Sequence, residues 1–258
     1  MKDTITIALF QTALHWEDPQ KNRELITKEI GTIAKATDLL IFPEMFTTGF
    51  SMEPKNVRAK EGPMTLEWMQ QTAKEHKIAL AGSVAYETKG KYYNRLFFVT
   101  PEGGVHHYDK RHTFTLAGED KTYASGNERT VVKFKGFRFL LQICYDLRFP
   151  VWARNTDEYD AILYVANWPK PRIVAWDTLL KARAIENMAY SIGVNRVGKD
   201  PNGHEYPGHS AVYDALGNCI TFSDTPGVLY ATLDRNHLYE TRTSLGFLKD
   251  RDTFNLIL

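Results

Sequence analysis

A mostly apolar run, Phe139-Leu140-Leu141-Gln142-Ile143, leads straight into Cys144; Tyr145-Asp146 follows at once and Pro150 closes the segment. The pattern reads as a buried strand that delivers a thiol to its carboxyl end, where ligands of open α/β sheets sit. A cysteine there is a nucleophile if a neighbour helps it to the thiolate, and otherwise a small core hydrophobe. Two other apolar runs end in groups that could help. Leu39-Leu40-Ile41-Phe42 ends in Pro43-Glu44, and Val105 to Tyr108 ends in Asp109-Lys110. If the three strands are parallel neighbours, a thiol, a carboxylate and an ammonium converge at one edge of a sheet. That set fits acyl transfer: Glu44 takes the thiol proton, Lys110 stabilises thiolate and oxyanion, and the backbone N–H of Tyr145 is a second oxyanion donor. Taken singly, Glu44 reads equally as a surface acid and Lys110 as a solvated strand end.

The elements that would position these groups follow from periodicity. Ile5 to Phe10 alternates as a strand. Asp18-Pro19 caps a helix over about 19–36, with Leu25, Ile26, Ile30 and Ile33 on one face. Gly62-Pro63 opens a second helix carrying Leu66, Met69 and Ala73, and strands follow at 78–86, 92–99 and 105–110. Residues 111–129 form a long polar segment, a candidate lid, since loops of such length in a compact domain are functional or disordered. A hairpin spans 130–134 and 138–144, and a short helix suits 150–155. Asp160 to Ala166 is a buried strand, Ile173 to Tyr190 a helix, and Ser191 to Val197, Ser210 to Tyr213 and Val228 to Leu233 are strands. Residues 203–208 read as a loop. From about Asn236 the periodicity weakens, and the tail is expected to pack on a neighbouring subunit. βα units mixed with hairpins predict an α/β protein, helices covering sheets, in a single domain over 1–258.

Composition narrows the function classes. Lys+Arg number 32 and Asp+Glu 31, so no basic excess argues for nucleic acid and no polybasic run for a membrane surface. Two cysteines in 258 residues make no disulfide framework, and Met1-Lys2-Asp3-Thr4 lacks the apolar stretch of a signal peptide, so a cytoplasmic protein is expected. A metal hydrolase is the competing chemistry, because His106, His107, Asp109 and His112 cluster. On a strand, however, His106 and His107 point to opposite faces, and no His-Glu-x-x-His or Cys-x-x-Cys pattern appears. Cys219, beyond the Gly217-Asn218 turn, has no acid or lysine pattern around it and reads as structural.

Several stretches together resemble the nitrilase superfamily of carbon–nitrogen hydrolases, and within it the omega-amidase-like branch. They are Phe42-Pro43-Glu44, Tyr108-Asp109-Lys110-Arg111-His112, Gly118-Glu119, Cys144 to Pro150, Asn167-Trp168-Pro169, Ala182 to Asn187, and Gly208-His209-Ser210 through Asp214 and Gly217. The resemblance implies an αββα four-layer sandwich that dimerises, no metal or organic cofactor, and a Glu-Lys-Cys triad mapping onto Glu44, Lys110 and Cys144. It also gives Glu119 a supporting catalytic role in place of a plain surface charge. The implied reaction passes through a Cys144 thioester and releases ammonia. Tyr145-Asp146 after the cysteine looks more like the amidases than the Trp-Glu of nitrilases proper.

The branch most resembled removes the terminal amide of 2-oxoglutaramate or 2-oxosuccinamate. Such substrates carry a distal carboxylate, so a cation should face the pocket. Arg172 is one candidate, for its bidentate fork, and equally a surface arginine at the start of a helix. Arg148 is the other, or it braces the turn beside the nucleophile. Trp168 either walls the pocket or packs. An N-carbamoyl-amine hydrolase, an aliphatic amidase and a non-catalytic binding protein on the same fold stay open as alternatives.

Overall fold

Runs of apolar residues broken by tight turns give the chain its strands. The computed structural model describes residues 3–257 apart from 34, 36 and 59, so Met1, Lys2 and the expected helical positions 34 and 36 lie outside the described residues. The first part of the chain supplies β1 (Thr4–Gln11), β2 (Leu39–Ile41), β3 (Ala79–Thr88), β4 (Lys91–Val99) and β5 (Val105–Asp109). The second supplies β6 (Val131–Phe134), β7 (Phe137–Ile143), β8 (Ala161–Ala166), β9 (Tyr190–Asn195), β10 (Val197–Lys199), β11 (Glu205–Pro207), β12 (Ser210–Tyr213), β13 (Cys219–Ser223) and β14 (Gly227–Asp234). The helices are α1 (Pro19–Ile33), α2 (Glu61–His76), α3 (Glu119–Thr122), α4 (Pro150–Ala153), α5 (Ile173–Asn187) and α6 (Arg235–Leu245).

Two six-stranded sheets result, ordered β14-β1-β2-β3-β4-β5 and β13-β12-β9-β8-β7-β6, with β10 and β11 a separate ribbon. The centre of each is parallel, β1-β2-β3 in one and β7-β8-β9 in the other. Strands covered on both faces read as continuous apolar runs, and all six residues of β8 are buried. Ile7, Leu9, Ile41, Phe98, Phe139, Leu163 and Ile192 share the core between the sheets. The outer face of the first sheet packs under Ile26, Ile30, Met69 and Ala73 of α1 and α2. The outer face of the second packs under Trp176 and Leu180 of α5. The layers are therefore αββα, as expected. A Cβ on Gly193 would lie 2.4 Å from Leu180, so the seating of α5 on β9 requires glycine there. Among the described residues no helix is long and apolar enough to cross a membrane.

Some elements depart from the sequence reading. β13 is an edge strand with Cys219 and Ile220 exposed, and β10 and β11 are three residues each; none buries enough on one face to leave a periodic trace. The weakly periodic stretch after Asn236 is helical. Asp234 caps α6 by accepting from the backbone N–H groups of Asn236 and His237. Leu238 is buried, and Arg242 donates to the carbonyls of Met188 and Tyr159, so α6 docks on its own chain. The 111–129 segment is anchored rather than loose. Gly126 N–H donates to the Lys110 carbonyl, the buried Tyr123 hydroxyl donates to the Ser51 carbonyl, and a 3-10 turn over Thr115–Ala117 precedes α3.

Candidate active site

The strands that end near Glu44, Lys110 and Cys144 are not neighbours in one sheet. β2 and β5 belong to the first sheet with β3 and β4 between them, and β7 lies in the second. Convergence occurs across the sandwich, because β2, β5 and β7 open their carboxyl ends at the same end of the stacked sheets.

Each group is held by its local backbone. Beyond β2 the chain turns at Glu44, and Met45 N–H donates to the Ser83 hydroxyl at 2.9 Å. Asn167, which follows β8 in the other sheet, donates its amide to the Glu44 carbonyl at 2.6 Å and its N–H to Glu44 Oε2 at 2.9 Å. Lys110 is fully buried, and its ammonium lies 2.9 Å from Glu44 Oε1 and 2.8 Å from Glu119 Oε2. α3 delivers Glu119, whose Oε2 also accepts Phe114 N–H at 2.6 Å. Cys144 takes φ +46°, a left-handed conformation unusual for a residue with a Cβ, and starts a 3-10 turn over Cys144–Arg148. The turn is braced from inside: Asp146 Oδ2 accepts Ile143 N–H at 2.9 Å and the Tyr108 hydroxyl at 2.8 Å. Glu44 also stands close enough to the Cys144 thiol for its charge to act on it. Glu44, Lys110, Cys144 and Glu119 thus meet in one cluster, although 100 residues separate Glu44 from Cys144.

Cys144 lines a cleft that encloses about 520 Å³ of empty space, open mouth included. Lys110 and Tyr145 share its lining, and so do Arg148, Trp168 and Arg172. Trp168 packs as well as lines: its indole N–H donates to the Arg172 carbonyl at 2.7 Å and its ring lies 5.5 Å from Trp176. The Arg148 guanidinium sits over the Trp168 ring at 5.0 Å, and that of Arg172 over Phe114 at 5.1 Å. Both guanidiniums lie over aromatic rings that line the cleft.

A sequence profile of the carbon–nitrogen hydrolases matches residues 6–243. The omega-amidase YafV of Yersinia enterocolitica is 43% identical over 98% of this chain and 99% of its own length. The 2-oxoglutaramate amidase of Bacillus subtilis is 32% identical over 95% of this chain and 96% of its own. Among solved structures, the CN-hydrolase superfamily protein XC1258 of Xanthomonas campestris, determined with an arsenic adduct in its active site, superposes with a TM-score of 0.94. It is 40% identical, with 98% of this chain and 99% of that one covered.

The chain belongs to the carbon–nitrogen hydrolase family. Within the nitrilase superfamily it sits on the omega-amidase branch, as its motifs imply.

The electrostatics of this hydrolase site follow from burial and from two carboxylates sharing one cation. Burial works against charge on Lys110, but Glu119 and Glu44 outweigh it and hold the ammonium well above its usual range. Burial pushes Glu119 up, and Lys110 opposes that rise. The Cys144 thiol is pushed well up, by burial first and then by the negative charge and hydrogen bond of Glu44. Both influences favour the neutral thiol beside the carboxylate.

Two residues of the site escape a reading by sequence. Asn94, buried on β4, donates to Glu44 Oε1 at 2.7 Å and to Glu119 Oε1 at 3.1 Å. Asp146 reads as a turn residue and proves to be fully buried in the turn that Cys144 begins. An asparagine in the middle of an aromatic-rich strand was the available signal for the first. The histidine-rich stretch is engaged elsewhere: Arg95 grips Asp109 at 2.7 and 2.8 Å, and His112 Nδ1 pairs with Asp146 at 2.8 Å.

Proposed function

We propose that this hydrolase is an omega-amidase that releases ammonia from the terminal amide of a short dicarboxylate omega-amide, with 2-oxoglutaramate and 2-oxosuccinamate as the leading substrates. The observation that carries the reading is a buried Lys110 held by Glu44 at 2.9 Å and Glu119 at 2.8 Å that lines, with Cys144, a cleft also lined by two arginines.

In the proposed mechanism Glu44 accepts the thiol proton as the Cys144 sulfur attacks the amide carbon. Lys110 and the Tyr145 N–H stabilise the oxyanion of the tetrahedral intermediate. Glu44 returns the proton to the nitrogen, the C–N bond breaks and ammonia leaves a thioester. The same carboxylate then takes a proton from water, hydroxide adds to the thioester carbonyl, and collapse releases the acid while the thiolate is reprotonated. Glu119 keeps Lys110 charged and in place. Arg172, with Arg148 as second cation, receives the distal carboxylate of the substrate. Balanced charge and two cysteines that make no disulfide framework support a cytoplasmic setting, and the resemblance to the family supports a homodimer.

The test is ammonia release from a panel of omega-amides, 2-oxo-omega-amides, nitriles and carbamoyl amines. Preference for a carboxylate-bearing omega-amide is expected. Ammonia accompanied by carbon dioxide would indicate a carbamoyl substrate instead, and no turnover of any amide would sink the enzymatic reading.

A further inference from the structure

We propose that Asn94 is a positioning residue that divides the labour of the Glu44 carboxylate, tying one oxygen to the cationic side of the site and leaving the other free for the proton of Cys144. The inference rests on the Glu-Lys-Cys reading above and deepens it.

Glu44 Oε1 accepts from both Asn94 Nδ2, at 2.7 Å, and Lys110 Nζ, at 2.9 Å. A carboxylate oxygen offers about two lone-pair sites, so these two donors fill it. Oε2 accepts Asn167 N–H at 2.9 Å and keeps one site open. The open site belongs to the thiol, because that oxygen alone has room for it. Asn94 also fixes Lys110 and Glu119. Its carbonyl accepts Lys110 N–H at 3.0 Å, and its amide donates to Glu119 Oε1 at 3.1 Å. One residue of β4 therefore touches three charged members of the cluster by backbone or side chain.

The orientation of the amide is dictated by its surroundings. A flipped Asn94 would set its oxygen against two carboxylate oxygens, so both N–H groups face the glutamates. The consequence is that Asn94 Oδ1 is buried with no hydrogen-bond partner among the described residues, which is unfavourable for an amide oxygen. An apolar residue at this position would avoid that cost but strip both glutamates of a donor. Asn94 offers a neutral donor between two anions, where an added cation would compete with Lys110 and an acid would add a third negative charge. The other groups that face Glu44 are Lys110 after β5, Glu119 on α3, Cys144 after β7, and, farther off, Tyr206 on β11 and Tyr123.

Asn94→Ala and Asn94→Asp test this, in a Cys219→Ala background so that Cys144 is the sole reactive thiol. Two readouts are followed against pH: alkylation of Cys144 by iodoacetamide, and kcat and KM for the best omega-amide. Loss of the Asn94 donor leaves the negative charge of the glutamates beside the thiol less screened and disfavours the thiolate, so the alkylation profile should move to higher pH, further in Asn94→Asp than in Asn94→Ala. kcat should fall roughly tenfold to a hundredfold with KM little changed, as for other displaced general bases. An alkylation profile that stays in place or moves down in the folded variants overturns the proposal, as does a rise in KM with kcat intact. Asn94→Ser serves the same comparison if either variant fails to fold. The alkylation readout needs no substrate, so it judges Asn94 even if no omega-amide is turned over, a result that would count against the proposed function alone.

Discussion

The carboxylate of Asp146 accepts the backbone N–H of His112 at 3.0 Å, joining segments 34 residues apart in sequence. His112 lies two residues beyond Lys110, and Asp146 two beyond Cys144. The other oxygen of Asp146 accepts Ile143 N–H and the Tyr108 hydroxyl. A single fully buried side chain thus clamps the exit of β5 to the turn after β7. The ring of His112 stacks on Phe149 at 3.6 Å with an interplanar angle of 3°, which closes the clamp from the outside. The spacing between ammonium and sulfur across two sheets is set here as much as by the reactive residues themselves.

Asp146→Ala should therefore cost about 2–4 kcal/mol, because it leaves several buried donors without an acceptor. Asp146→Asn should cost less in stability and still lower kcat, since it replaces one accepting oxygen by a donor that opposes the N–H groups around it. Urea denaturation and ammonia release, measured on the same preparations, separate the two effects.

Cys144→Ala should abolish turnover and the acyl-enzyme mass adduct, whereas Cys219→Ala should leave both nearly intact. Cys219 is exposed, so general thiol reagents will label it and the adduct must be read with a substrate. An acyl adduct on Cys219 would overturn the assignment of the nucleophile.

The pH dependence of Cys144 alkylation should be displaced upward. Burial and the Glu44 charge favour the neutral thiol, so in the Cys219→Ala protein the rate should go on climbing past pH 9.0, the ordinary value for a thiol. Glu44→Gln removes the negative neighbour and leaves Lys110, so its curve should move to lower pH. A plateau below pH 9.0 in the protein that retains Glu44 would contradict the charge balance described for the site.

Lys110→Met should destabilise by about 3–5 kcal/mol at neutral pH, because two buried carboxylates lose their cation. Lys110 is raised on folding, so its contribution is fully present below the unfolded lysine value, about 10.4, and is lost as pH rises through the folded value. Thermal unfolding against pH checks both statements. The Lys110→Met variant should recover stability on acidification, as its glutamates take up protons.

Arg172→Ala should raise KM for carboxylate-bearing amides by roughly 10–100-fold while neutral amides change little, as expected when a guanidinium–carboxylate pair is lost. Equal effects on charged and neutral amides would mean that Arg172 supports Phe114 rather than binding substrate. Arg148→Ala, assayed in the same way, ranks the two cations.

The sequence by itself picked out Glu44, Lys110 and Cys144, which the fold brings together, and most of the elements beneath them. Apolar runs that stop at Glu44, Lys110 and Cys144 are written locally, because a strand buried on both faces must be apolar along its length and can turn polar only where it leaves the core. The helices α1, α2 and α5 were legible from their stripes for the same reason. Partnership between distant segments was left to the tertiary structure. Strand order, and with it the separation of β2, β5 and β7 into two sheets, depends on which faces bury each other, and that information is spread over the whole chain. The roles of Asn94 and Asp146 are of this kind: each is an ordinary polar residue until folding removes water from around it and leaves only particular charged neighbours to bond. Edge elements such as β13 were hidden for the opposite reason, since solvent on one side imposes little pattern on their residues.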